Sequence, residues 1–195
     1  MFGIENYEPI FFDKVEIFKK VLGSQLSKAI GKTIDDYWLM WDSQENRWFQ
    51  DGPVILKISN RQFEFTANKL DEFSLTFDQI DIGKKLDWYG LDDDLPLIWK
   101  NQAKADMNKL IGRKITDISI ISYNFSSKVL LDKIHPENKG RINETGFMLH
   151  GIEFTFEKKG WFDQNNFLQI FNALDSNGIT TQRQKPDKQY HKIKI

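Results

Sequence analysis

The chain has 195 residues, 40% hydrophobic and 28% charged, with a net charge of -1. That length can bury a core without staples, and that balance excludes a disordered chain or a global field drawing in nucleic acid or anionic membrane. With no cysteine, disulfides, thiolate nucleophiles and cysteine zinc sites are excluded, and a reducing compartment fits.

The first eight residues, Met1-Phe-Gly-Ile-Glu-Asn-Tyr-Glu8, lack the basic and apolar regions of a signal peptide. No apolar run approaches the ~20 residues of a membrane span. A cytoplasmic protein is therefore expected. Phe11, Val15, Phe18 and Leu22 fall at helical spacing, and Leu26, Ala29 and Ile30 extend the apolar face. The helix ends in Lys28-Ala-Ile-Gly-Lys-Thr-Ile-Asp-Asp36. Gly31 stands where a C-cap requires a left-handed residue, and Lys32 suits the negative end of the helix dipole.

The period then changes. Tyr37-Trp-Leu-Met-Trp41 reads as a strand with large apolar side chains on both faces. A second strand is expected at Val54-Ile-Leu-Lys-Ile58, after an Asp51-Gly-Pro53 turn, and further strand signals lie at 63–66 and 76–81. A linker near 90–96 leads to a second helix, with Asp94 as N-cap and Pro96 in its first turn.

The same grammar then returns. Ala103, Met107, Leu110 and Ile111 are helically spaced, and Lys109-Leu-Ile-Gly-Arg-Lys-Ile-Thr-Asp117 aligns with residues 28–36, with Gly112 matching Gly31. Ile118-Ser-Ile-Ile-Ser-Tyr123 is the following strand. An insert at 124–145 contains a turn, His135-Pro-Glu-Asn-Lys-Gly140. Residues 147–156 correspond to the strand at 54–58. The register beyond is ambiguous, since Phe63-Glu-Phe-Thr66 resembles Ile152-Glu-Phe-Thr155. Thr76-Phe-Asp-Gln-Ile-Asp81 is matched to Ile170-Phe-Asn-Ala-Leu-Asp175. The tail from Thr181 carries five Lys or Arg and one Asp, and reads as a surface strand or a loosely held end.

The expected fold is α+β: two tandem related halves, 1–95 and 96–195, each a helix followed by an antiparallel meander, packed as one unit. The second half carries the insert and the basic tail. The two sheets either pack on each other or run on as one.

No catalytic constellation emerges. His135, His150 and His191 are the only histidines, no Gly-x-Ser-x-Gly elbow exists, and phosphate-binding glycine motifs are absent. Asp92-Asp-Asp94 has no EF-hand spacing and reads as linker. No metal or cofactor is expected. The basic tail offers only Tyr190 as a stacking ring, which argues against nucleic acid. The cluster Trp38, Trp41, Trp48 and Phe49 either fills the core or anchors a partner. Asp81, His150 and Asp175 are the polar candidates for a ligand or enzyme site between the halves.

Gly151-Ile-Glu-Phe-Thr-Phe156, followed by Leu168-Gln-Ile-Phe-Asn-Ala-Leu-Asp-Ser-Asn-Gly-Ile179, resembles the ending of small bacterial immunity-type proteins encoded beside toxins. The resemblance covers the last quarter of the chain and implies a protein-binding role. The leading expectation is therefore a non-enzymatic module that neutralises a toxin. The alternatives are a small-ligand binder or enzyme with its site between the halves, and a self-associating structural protein.

Overall fold

The computed structural model describes residues 1–91, 95–126, 145–160, 163, 166–183 and 189–195. Asp92-Asp-Asp94, the Asp94 cap and the turn at His135 lie outside the described residues. In chain order the first half contains α1 (Val15–Ser27), β1 (Ile34–Asp42), β2 (Arg47–Trp48), β3 (Val54–Ile58), β4 (Arg61–Asn68), β5 (Glu72–Phe77) and β6 (Leu97–Asn101), which pairs with β1 and so carries this half past the expected boundary at residue 95. The second contains α2 (Ala105–Asn108), β7 (Ile115–Ser126), β8 (Thr145–Phe156), β9 (Phe167–Asn172), β10 (Asn177–Thr180) and β11 (Tyr190–Lys194). No helix among the described residues is long and apolar enough to cross a membrane.

The α+β expectation is corrected. Two antiparallel sheets make up most of the molecule, and the described residues hold only two α-helices, the second of four residues. The helical spacing before Gly112 misleads because Met107 and Leu110 are buried by a single turn, not by a long helix. Residues after Pro96, expected to open that helix, form β6 on the outer side of β1, with Trp41 opposite Ile98. α1 does follow its apolar spacing: Val15, Phe18, Leu22 and Leu26 are buried.

The halves repeat a strand plan. The first sheet runs β5-β4-β3-β1, with β6 on the far side of β1, and the second runs β10-β9-β8-β7-β11. In each, the last strand returns to pair with the first. Both first strands carry a register shift at the corresponding place, between Ile34 and Asp36 and between Ile115 and Asp117. The ladders also correct one sequence match. Ile170 lies on β9, which corresponds to β4, so residues 170–175 do not repeat 76–81, and Asp175 is not the counterpart of Asp81.

The two glycine blocks meet each other. Neither glycine is the expected helix C-cap, since α1 and α2 are capped by right-handed Lys28 and Lys109 and a further turn intervenes; even so, Gly31 has φ +83° and Gly112 φ +74°, the left-handed values that glycine adopts at least cost. Gly31 N–H donates to Ile115 C=O, and Gly112 N–H donates to Ile34 C=O, both at 2.8 Å. Thr33 and Lys114 form a bridge between them. The contact is reciprocal, as across a two-fold axis.

The sheets pack face to face. Phe65 of β4 meets Phe154 of β8 edge-on at 6.0 Å, inside a core shared with Leu56, Leu75, Ile120 and Ile170. α1 leans on β7 and β8 of the other half. The outer face of the first sheet is sealed by residues 1–8 and 78–91. Phe2 stacks on Trp88 at 5.0 Å, and Ile4, Tyr7, Ile80 and Leu86 bury Met40 and Ile55. Burial raises the Tyr7 hydroxyl's pKa above the ordinary tyrosine range; the hydroxyl hydrogen-bonds Thr66. The Glu64 carboxylate beside it is fully buried and accepts from Gln62 Nε2, Thr76 Oγ1 and the N–H groups of Gln79 and Ile80. Four donors on one carboxylate make its burial tolerable.

Candidate functional site

The four aromatic candidates divide between two surroundings. Trp38 and Phe49 belong to the sealed outer layer: Trp38 packs beside Met40, and Phe49 meets Trp88 edge-on at 5.1 Å. Trp41 and Trp48 sit directly opposite each other across β1 and β2, and both are half-buried. The alternation that sends Trp38 one way sends Trp41 the other. Trp41 Nε1 donates to Asn46 Oδ1 at 3.1 Å, and Lys100 Nζ lies 3.9 Å from the Trp41 ring centroid. Lys104 Nζ lies 4.7 Å from the Trp48 ring centroid. The exposed side chain of Ile98 pairs with Trp41 from edge strand β6. Two rings, two ammonium groups and an exposed aliphatic side chain thus share one margin of the first sheet.

The polar trio is not assembled. Asp81 accepts the Gly83 N–H at 2.9 Å, an ordinary turn contact. Asp175 accepts the Lys69 N–H at 2.5 Å and so ties the β9–β10 turn to the β4–β5 turn. Burial, with the charge of Asp175 adding to it, raises the carboxyl of Asp51 above the usual carboxylate range. His150 stands on the far sheet, at a second register shift of β8 where Ile121 opposes Gly151 but Ser122 opposes Leu149. It is the extra residue of a β-bulge. No hydrogen bond, ion pair or ring contact joins any two of the three.

His150 does gather rings. Phe171 lies 5.0 Å away, Tyr190 5.1 Å and Tyr123 6.2 Å. Burial pushes its imidazole down to about 4, so the ring is neutral at neutral pH. Tyr190 is therefore not an isolated ring at the end of the chain: β11 pairs with β7 and sets it opposite Tyr123.

One further group was not legible in the sequence. Arg113, the counterpart of Lys32, is only 2% exposed. Its guanidinium pairs with the Asp163 carboxylate, and Nη2 donates to the Glu157 carbonyl at 2.5 Å. The glycine block announced a cation at this position, but no local pattern announces the distant acid that meets it.

No family model, curated protein or solved structure matches the chain.

Proposed function

We propose that the chain is a non-catalytic protein-binding module of the immunity type, acting in the cytoplasm by covering the working surface of a toxin. The observation that carries this reading is the Trp41–Trp48 pair, half-buried, with Lys100 and Lys104 over the rings and the exposed Ile98 beside them. Rigid aromatic anchors dominate the energetics of protein interfaces, and charges belong to the polar rim around them. The ammonium groups favour an acidic counterpart on the toxin. The resemblance of residues 151–179 to immunity-type proteins supports a toxin as the partner.

The test takes the product of a neighbouring toxin gene as the candidate partner. Trp41→Ala and Lys100→Glu should each leave the melting temperature nearly unchanged. Trp41→Ala should weaken toxin binding by about 2 kcal/mol, and Lys100→Glu should slow association. If Trp41→Ala and Trp48→Ala both lose stability and neither loses binding selectively, this margin is core and the reading fails.

A further inference from the structure

The two halves treat one corresponding place in opposite ways. Each helix is followed, after a short turn, by a left-handed glycine and a cation, Gly31-Lys32 and Gly112-Arg113. Facing that end is the connection between the second and third long strands of the same half.

In the second half this connection spans 157–166, and its described residues Glu157, Lys159 and Asp163 close the place. Asp163 puts both carboxylate oxygens on Arg113, Oδ2 to Nη2 and Oδ1 to Nη1 at 3.4 Å. Oδ2 also accepts the Lys159 N–H at 2.8 Å. The Arg113 and Asp163 side chains are 2% and 12% exposed.

In the first half the connection is only Ser59 and Asn60, and Lys32 is exposed. A cleft of about 330 Å³ stands there. Its floor is Ala29, Ile58 and Phe63, all members of the main core. Its rim carries Lys28, Lys32 and Arg61 against the single carboxylate of Asp78. Arg61 is already oriented: Nη1 donates to Gln25 Oε1 at 2.6 Å, Nε donates to Asp78 Oδ2 at 3.3 Å, and the guanidinium lies 4.0 Å from the Phe77 ring centroid. Asp78 Oδ1 is occupied by the Gln62 N–H at 2.8 Å.

We propose that this cleft receives an aspartate or glutamate side chain from a loop of the protein partner, seated between Lys32 and Arg61 as Asp163 is seated against Arg113. The molecule supplies its own precedent: where the same scaffold carries a longer connection, a carboxylate fills the place from within the chain. The excess of rim cations supplies the attraction, and the apolar floor takes the aliphatic stem of the acidic side chain. The proposal rests on the protein-binding reading for the source of the carboxylate.

The probe is a synthetic peptide of residues 157–166, added to the full chain and followed by amide NMR. Shifts are expected at Ala29, Lys32, Ser59 and Asn60 in the millimolar range. The same peptide carrying Asp163→Asn should bind about fivefold more weakly, and Lys32→Gln in the protein should have a similar effect, each the size of one exposed ion pair. Lys28→Gln is the second protein variant, and both lie on the surface and should melt like the parent. If these amides stay unshifted at millimolar peptide, or neither the peptide nor the protein changes weaken the shifts, the proposal is overturned. Trp41→Ala separates the two readings. That chain still takes the peptide if the cleft proposal holds, whatever becomes of toxin binding.

Discussion

The first half seals the outer face of its sheet and leaves its helix end open; the second closes its helix end with Arg113 and Asp163. Strand order, register shift and left-handed glycine are common to both. The difference therefore lies in the connections. Two residues between β3 and β4 cannot carry a carboxylate back to the helix end, whereas the chain between β8 and β9 does. The scaffold sets where a cation stands, and the connecting chain decides whether it is buried and paired or exposed.

The comparison can be tested most severely at that cation. Asp163→Ala should strand a buried guanidinium and cost about 3–5 kcal/mol in denaturant unfolding. Lys32→Ala, at the corresponding place in the first half, should stay within about 0.5 kcal/mol. Similar costs at both sites would erase the distinction between closed and open.

The next effect is a pH dependence seated on the second sheet. The folded value of His150, about 4, lies below the ~6.5 of an unfolded histidine, so the unfolded chain takes the proton first. The stability carried by the neutral ring is full above pH ~6.5, declines as pH falls, and is gone below pH ~4. The whole swing is about 3 kcal/mol. Carboxylates also titrate in this range, so the measurement is the difference in urea midpoint between the parent and His150→Gln at pH 7 and pH 4. An unchanged difference would mean that the imidazole is not desolvated.

A smaller effect should be equal in both halves. Gly31→Ala and Gly112→Ala each force a side chain into a left-handed backbone, at about 1–2 kcal/mol. Nothing lies within 4 Å of the added carbon at either site, so the cost is conformational and not steric. Thermal melts that differ sharply between the two variants would break the correspondence. The smallest effect belongs to the first half alone. Tyr7→Phe removes the hydroxyl bonded to Thr66 and should cost about 1 kcal/mol by chemical denaturation. No loss at all would mean that the Tyr7–Thr66 hydrogen bond contributes nothing to holding residues 1–8 on the sheet.

What could be read from the sequence was what is local. Gly31 and Gly112 declare a backbone conformation that few other residues accept, so those two turns and the strands after them were legible, although the helices themselves end earlier, at Ser27 and Asn108. β8 was legible by alternation, and β3 by an apolar run following the Asp51-Gly-Pro53 turn. β6 was not: Leu97-Ile-Trp-Lys-Asn101 follows a proline and precedes helical spacing, and only its pairing with β1 makes it a strand. The match of 76–81 to 170–175 failed because alternating Phe, Glu and Thr recur on several strands, and short patterns cannot tell which strand repeats which. The fold class failed at the second helix: the apolar spacing before Gly112 reads as a helix, but only one four-residue turn forms there and residues 97–101 pair with β1 instead. At the candidate surface, the aromatic residues were legible, but not their division between a sealed and an open side. Lys100, Lys104 and Asp163 come from other elements and leave no trace beside the residues they meet.

The reciprocal hydrogen bonds between the two glycine blocks reproduce, within a single polypeptide, the kind of isologous contact that normally joins identical subunits. In a symmetric dimer every substitution appears on both sides of the axis, so a pocket and its plug cannot be encoded separately. Covalent linkage lifts that restriction. One half can carry the occupied version of a site and the other the vacant version, while both keep the shared contact at the axis. A symmetric pair would carry two equivalent clefts or two filled ones; this chain carries one of each.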